Sequence, residues 1–444
     1  MPCWRNARQG HILRWYYSRI RLRLISDLAM CAVKNKNLED FMLSTIIYRS
    51  HIADHVPLKM LEGLVTKANK INESSSVTGI LLFNGTHFFQ LLEGPERDVL
   101  AVYERICRDT SHHNIVELMR DYAPARRFGN VGMELFDLRQ YDKTTVLNAV
   151  LEKGTTKYQL TYEDRALKFL RTFVEAREKE NYFEIPSADS WDFIQDEAET
   201  REGDVAMLNQ EGVNFAFQAI IDPFARKIVS LEALLRGNQG ETQQHYFSRL
   251  DPDDIYRNDL HSKRTAFAQA KALGLDDMVL SINLLPMSLV LVPDAVDFLL
   301  TEIHAHQLVP EQIVVEFTEN EIISRPDEFA AALKQLKAAG ISVALDDFGA
   351  GYAGLSLLTQ IQPDKIKIDR SIISNVHKSG PKQAIVHAIL KCCSSLEITV
   401  IAEGIEQPEE WMWLEAAGIS QFQGFLFSWP KLNGVSSVSW PELK

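Results

Sequence analysis

The C-terminal half of the chain repeats one local theme that leaves few folds open. A short β-branched or apolar run ends in a carboxylate, an amide or an amine, and a helical stretch follows. Val229 and Leu231 precede Glu232, Val279 to Ile282 precede Asn283, and Ile313 to Val315 precede Glu316. Val343 to Leu345 precede Asp346 and Asp347, Ile366 precedes Lys367, and Val400 to Ala402 precede Glu403. Roughly 20 to 50 residues separate these strand ends, as in βα units, and polar groups gathered at one end of parallel strands are how a (β/α)8 barrel builds its active site. The start departs from this pattern: Phe215 to Ile221 and Lys227 to Arg236 are joined by a short turn containing Asp222-Pro223. That spacing predicts an antiparallel hairpin in place of one βα unit.

Five carboxylates converging on one pocket repel each other and raise their own pKa values unless cations sit among them. Oxygen donors without histidine or cysteine favour a hard ion, Mg2+ or Mn2+, and the adjacent Asp346 and Asp347 can address two ions about 3.5–4 Å apart. Lys367 would complement negative charge at a reacting phosphate or position a water. Any one of these acids is more simply a helix N-cap or a solvated loop residue. Six strand-end positions in the same arrangement outweigh that simpler account.

The N-terminal half follows another pattern. Leu43 to Ser50 reads as a strand, and Leu58, Leu61, Leu64, Val65, Ala68 and Ile71 then recur at helical spacing. Thr78 to Phe83 meets Thr86 to Leu92 across Asn84-Gly85, a dipeptide suited to positive φ at both turn positions. A helix opened by Gly94-Pro95 carries Val99, Val102, Tyr103 and Ile106, and Ile115 to Leu118 and Met133 to Leu138 supply two further strands. The order β-α-β-β-α-β is a ferredoxin-like plan with helices on one face, and it hosts many functions. Two polar side chains sit inside apolar strands, Tyr48 in the first and Gln90 between Phe88-Phe89 and Leu91-Leu92. Buried groups of this kind need partners, which they find most simply in each other or in nearby backbone.

Between the halves, Leu167, Leu170, Phe173 and Val174 mark an amphipathic helix over Arg165 to Val174 that needs a docking surface. From Glu178 to Asp204 ten acidic residues face only Lys179 and Arg201, the pattern of a solvated linker. A formal net charge of -13 works against non-specific binding to nucleic-acid phosphates. The five cysteines form neither a disulfide framework nor a zinc-ligand pair, which fits a reducing cytoplasm. No uninterrupted apolar run approaches the ~20 residues of a membrane span. Arg5, Arg8, Arg14, Arg19, Arg21 and Arg23 mark residues 1–41 as a basic extension, expected to be disordered, with the folded part beginning at Met42.

Residues 42 to about 138 resemble the BLUF photoreceptor domain. The matching motifs are Ile47-Tyr48-Arg49-Ser50, Asn72, Val77-Thr78-Gly79, Phe88-Phe89-Gln90-Leu91-Leu92-Glu93-Gly94, Arg126-Arg127-Phe128 and Gly132-Met133. The resemblance implies non-covalent FAD, or another flavin, with Gln90 hydrogen-bonded between Tyr48 and the isoalloxazine edge and Asn72 on its carbonyl side. Excitation would draw an electron and a proton from Tyr48, and Gln90 would then rearrange and move Met133 and its strand. A tryptophan found beside that methionine in some relatives is absent, Val131 standing at the matching position.

Residues 214 to about 435 resemble the EAL phosphodiesterase domain, through Glu232-Ala233-Leu234, Ile282-Asn283-Leu284, Glu316-Phe317-Thr318-Glu319, Asp346-Asp347-Phe348-Gly349, Lys367-Ile368-Asp369, Ala402-Glu403-Gly404 and Gln423-Gly424-Phe425. By that resemblance Glu232, Asn283, Glu316, Asp346, Asp347 and Glu403 bear on two metal ions or their waters, and Lys367 lies beside the nucleophilic water. Glu319 braces the Asp-Asp loop, while Gln218, Arg236 and Gln423 contact the dinucleotide. The implied activity is hydrolysis of cyclic di-GMP to pGpG, in a homodimer. Ala350 replaces the more frequent Thr, Ala353-Gly354 replaces a Ser pair, and Tyr246 to Asp259 lacks a Pro-x-x-Phe-Ile-Pro pattern, but no ligand is missing. No GGDEF synthase motif occurs. Some BLUF-EAL proteins act instead by antagonising a MerR-like transcriptional repressor, and that is the alternative reading. The expected architecture is α/β and multidomain: a ferredoxin-like α+β domain over 42–138, coupling helices and an acidic linker over 139–213, a modified (β/α)8 TIM-type barrel with one antiparallel strand over 214–435, and a tail over 436–444.

Overall fold

The computed structural model describes residues 43–444 apart from 54, 58–60, 124–125, 129–131, 155–164, 176–184, 197–199, 203–211, 238–239, 276–277, 319–324, 352–354, 356–357 and 359–360. The basic extension, Val131, Glu319, Ala353-Gly354 and parts of the acidic segment therefore lie outside the described residues. The chain divides into two compact units, Met1–Lys179 and Glu180–Lys444.

In the first unit the expected order appears: β1 (Leu43–Ile52), α1 (Leu61–Ser74), β2 (Thr78–Phe83), β3 (His87–Pro95), α2 (Glu96–Cys107) and β4 (His112–Ala123). A fifth strand, β5 (Glu134–Asp137), runs parallel to β2, giving the sheet order β4-β1-β3-β2-β5. Only Gly85 takes positive φ at the β2–β3 turn, and the Asn84 side chain closes it by accepting from the amides of Thr86 and His87 at 3.1 and 2.8 Å. Strand alternation sends Tyr48 and Leu92 to the face packed by Val99 and Val102 of α2. Ile47, Phe89 and Leu91 go to the opposite face.

That second face is covered too, which corrects the expectation of helices on one side only. α3 (Lys143–Glu152), capped by Asp142 accepting from the Thr144 and Thr145 amides, contributes Val146 and Val150. α4 (Arg165–Glu175) contributes Leu170, Phe173 and Val174, so its apolar stripe docks on the sheet of its own unit. The Phe173 ring stacks on Phe89 with centroids 5.0 Å apart. Burying such a side chain stabilises the unit by about 1.5–3 kcal/mol.

In the second unit, eight strands close into a barrel: β7 (Val213–Asp222), β8 (Lys227–Gly237), β9 (Val279–Asn283), β10 (Ile313–Thr318), β11 (Ser342–Phe348), β12 (Lys365–Ile368), β13 (Thr399–Ala402) and β14 (Gln421–Phe422). Neighbours are parallel except at β7, which is antiparallel to both β8 and β14, as the Asp222-Pro223 hairpin predicts. The sequence Lys365-Ile366-Lys367-Ile368 shows why the polar groups converge. Alternation buries Ile366 and Ile368 in the apolar cluster shared with the surrounding helices, and Lys367 takes the barrel interior.

Two boundaries differ from the sequence reading. Trp191–Asp196, placed within the acidic linker, is strand β6, and Val438–Leu443, placed in the tail, is strand β15; the two pair antiparallel. Trp191 and Phe193 pack edge-on against Trp411, and Trp440 is buried, so both segments belong to the second unit's core. The apolar period of two in Trp191-Asp192-Phe193 is masked in sequence by the surrounding acids. Among the described residues no helix is long and apolar enough to cross a membrane.

Candidate functional sites

The first site grows from one cross-strand pair. Tyr48 on β1 stands directly opposite Gln90 on β3, so their side chains emerge on the same face and meet. The Tyr48 hydroxyl donates to Gln90 Oε1, and Gln90 Nε2 donates to the Met133 sulfur at 3.1 Å. All three side chains are buried. Burial pushes the Tyr48 hydroxyl well above the usual phenol range, so its proton stays in place in the resting state. Asn72, near the end of α1, is also buried, and its Nδ2 has no hydrogen-bond partner among the described residues. A buried donor without an acceptor fits a ligand that offers a carbonyl oxygen, and a flavin ring offers two.

Below that site lies a clamp to which sequence reasoning assigned no role. The buried Glu93 carboxylate accepts from the backbone amides of Arg127 and Phe128, each at 3.0 Å, and from Arg127 Nη1 and Thr45 Oγ1, each at 3.2 Å. Arg127 Nη1 also donates to Thr45 Oγ1 at 2.9 Å.

The second site sits at the barrel mouth, where strand register brings the predicted residues together. Asn283 pairs with Glu316 across β9 and β10, Thr318 with Asp346 across β10 and β11, and Glu232 with Gln218 across β7 and β8. Lys367 occupies the centre: its Nζ lies 3.0 Å from Glu316 and 3.1 Å from each of Glu232, Asp346 and Glu403. Asn283 Nδ2 donates to Glu232 Oε1 at 2.6 Å and Gln423 Nε2 to Glu232 Oε2 at 2.7 Å. Gln423 also reaches Gln218 Oε1 at 3.3 Å. Gly424 permits this placement, since a Cβ there would meet the Ile405 carbonyl oxygen at 2.1 Å.

One ammonium cannot neutralise this many clustered acids. Burial pushes Glu316 up to about 8 and, with Asp346 adding to it, Asp347 up to about 6. Glu403 is raised well above the carboxylate range by burial and its acidic neighbours. For Glu232 burial also acts upward, but Lys367, Gln423 and Asn283 outweigh it and hold it below its ordinary value. Lys367 stays protonated because Asp346, Glu232, Glu316 and Glu403 overcome its own burial. Two carboxylate triads, Glu232-Glu316-Asp346 and Asp346-Asp347-Glu403, each bring one oxygen per residue within 4.8 Å of the others. Asp346 belongs to both, and Glu316 Oε1 is buried without a hydrogen-bond partner among the described residues. An all-oxygen set of this kind would suit hard divalent cations, with Glu232, Glu316, Asp346, Asp347 and Glu403 as the residues to hold them. Asp347 holds φ at 53°, a strained conformation for a non-glycine residue of the sort that clusters at functional sites.

Arg236 lies on the same face of β8 as Glu232, half-buried, with Nη1 donating to the Leu235 carbonyl at 2.9 Å. Asp369, Arg370, Glu406 and Phe425 bound the cleft. Arg370 donates to Glu406; Asp369 and Phe425 stand in the motifs Lys367-Ile368-Asp369 and Gln423-Gly424-Phe425, whereas no motif pointed to Arg370.

Residues 43–134 match the family model of BLUF, sensors of blue-light using FAD, and residues 203–430 match that of the EAL domain. The chain is 59% identical over 403 residues to the blue light- and temperature-regulated antirepressor BluF of Escherichia coli (strain K12), covering 91% of this chain and 100% of that one. It is similar to the structure of Klebsiella pneumoniae BlrP1 in a manganese and cyclic di-GMP complex, with a TM-score of 0.84 and 42% identity over 90% of this chain and 100% of that one. BlrP1 solved with FMN and cyclic di-GMP but no metal ions matches over the same shares, with a TM-score of 0.79 and 38% identity. With both domains matched in order, and a whole-length relative at this identity, the chain belongs to the BLUF-EAL family, in which a blue-light-sensing BLUF domain is joined to an EAL domain.

Proposed function

We propose that this protein is a blue-light-controlled, metal-dependent cyclic di-GMP phosphodiesterase, with a flavin, FAD or FMN, held at Tyr48, Asn72, Gln90 and Met133. The observation that carries the reading is Asp346 shared by two carboxylate triads around one buried lysine. Glu232, Asn283, Glu316, Asp346, Asp347 and Glu403 would hold two Mg2+ or Mn2+ ions, which when bound activate water and neutralise charge in phosphodiester cleavage. Hydrolysis adds water across one phosphodiester, breaking the bond from phosphorus to the 3′ oxygen and leaving linear pGpG. Lys367, held protonated, faces the reacting phosphate, while Gln218 and Gln423 offer amides to the dinucleotide. The likeness to BlrP1, solved in a complex with manganese and cyclic di-GMP, supports the choice of metal class and substrate. The test is pGpG release by purified protein in darkness and under blue light, with Mg2+ and with Mn2+. No release in any condition would sink the enzyme reading.

A second output is favoured by the whole-length likeness to the antirepressor BluF. In that reading the barrel controls a MerR-like repressor by binding it, and turnover is dispensable. Light-dependent release of such a repressor from its DNA by a Glu232→Ala variant would establish it.

On the sensor side, Tyr48→Phe is expected to retain flavin and lose the light-induced red shift of the visible band, because only the hydroxyl bonded to Gln90 is removed. A normal shift in that variant would remove Tyr48 as electron donor. On the coupling side, Phe173 touches Phe89, the neighbour of Gln90 on β3, and α4 is the last described element of its unit. Phe173→Leu is expected to leave the spectral photocycle near normal and shrink the light-to-dark ratio of turnover several-fold, coupling energies being about 1–3 kcal/mol. A wild-type ratio would take this helix out of the path.

A further inference from the structure

The chain from β4 to β5 crosses from one edge of the sheet to the other, and it is fastened part-way. Glu93 fastens it through the Arg127 and Phe128 amides, and Phe128 is buried in the same apolar cluster as Phe89 and Phe173 of α4. Arg126 adds a second tie by donating to the Ser76 carbonyl at 2.6 Å and to Thr78 Oγ1 at 3.1 Å. Five residues after Phe128 the same segment delivers Met133 to Gln90 on the opposite face. Glu93 and Gln90 lie three apart on β3, so they point to opposite faces of one strand. One strand thus carries both the switching amide and the carboxylate that fixes its methionine partner.

We infer that Glu93 is a positioning residue for the photoreaction: by clamping Arg127 and Phe128 it holds Met133 where Gln90 must find it again, and so sets the rate at which the lit state returns to the dark state. The inference rests on the flavin reading proposed above. The physical step is entropic. A segment pinned within five residues of its sulfur searches few positions, whereas a released one searches many before the Gln90 to Met133 contact re-forms. Charge raises the stakes, because the Glu93 bonds to Arg127 are charge-assisted and buried. Thr45 completes the clamp by donating to Glu93 and accepting from Arg127.

The test uses the full-length, flavin-loaded protein and reads the thermal recovery of the visible spectrum after a blue-light pulse. Glu93→Gln keeps the size and one acceptor oxygen but removes the charge; its recovery should slow by about tenfold, the loss of one charge-assisted hydrogen bond. The light-induced shift should keep its amplitude, since Tyr48 and Gln90 are untouched. Thr45→Val, a milder change for the case in which Glu93→Gln does not fold, should slow recovery less and in the same direction. Amide hydrogen exchange at Arg127 and Phe128 should rise in both variants. The decisive arm is Met133→Leu: if the clamp acts through the methionine, adding Glu93→Gln to Met133→Leu changes recovery little further. Equal slowing in both backgrounds, or wild-type recovery in both clamp variants, overturns the inference. Wild-type protein that binds flavin but shows no shift overturns the flavin reading together with it.

Discussion

Glu232→Ala is expected to lower metal-dependent release of pGpG on the order of 10³-fold, because metal stabilisation of the transition state amounts to several kcal/mol and each 1.36 kcal/mol is tenfold in rate. Its carboxylate is the acidic member of one triad that three neighbours hold ionised, Lys367, Asn283 and Gln423. The variant should still fold. Lys367 keeps Glu316, Asp346 and Glu403, so the change removes excess negative charge, and the two orphaned amides cost about 1–3 kcal/mol each at most. Glu232→Gln separates charge from shape: it keeps a polar group in place and should lose nearly as much activity. The readouts are product release by chromatography and a thermal melt of each variant. Turnover within a few-fold of wild type, in a variant with a wild-type melt, would mean that these triads do not hold the catalytic ions.

The second large effect concerns Lys367. Replacing it with Met removes the one positive charge that the described residues set among four carboxylates, two of them buried, and breaking a buried pair from one side costs about 3–5 kcal/mol. In metal-free protein the melting temperature should fall on the order of 10 °C. Saturating Mn2+ should return most of that loss, since the ion replaces the missing positive charge. The same electrostatics fixes a pH trend for metal-free wild type. Glu316 is raised from 4.5 to about 8 and Asp347 from 3.8 to about 6, both chiefly by burial, so the folded state keeps protons that the unfolded state releases. Stability from those protons is full below the unfolded values and drains away as pH rises through the folded ones. Metal-free protein should therefore melt lower at pH 8 than at pH 5. Metal must displace those protons, so the stabilisation by Mn2+ should grow over the same range. A melt that rises from pH 5 to 8 without metal, or a Lys367→Met variant indifferent to Mn2+, contradicts this account of the cluster.

Much of the site was readable before any fold was known, because its residues sit at strand ends. Each strand announces itself by a β-branched run, and the polar residue that ends it is conspicuous against that run, as Glu316 is after Ile313-Val314-Val315. The antiparallel hairpin was equally local, written in the short turn at Asp222-Pro223.

What escaped sequence reasoning involves partners far apart in the chain. Trp191–Asp196 looked like linker because its acids face solvent, and only pairing with Val438–Leu443, more than 200 residues away, makes it a strand. The amphipathic stripe of α4 required a surface without saying which, and packing chose the rear of the sensor sheet, with Phe173 on Phe89. Glu93 read as one more motif residue until the crossing segment brought Arg127 and Phe128 onto it. Local periodicity determines which face of an element is apolar, because the side-chain period belongs to the backbone conformation itself. Which apolar face meets which, and that one lysine answers four carboxylates, depends on contacts whose free energy exists only when distant strands are already in register.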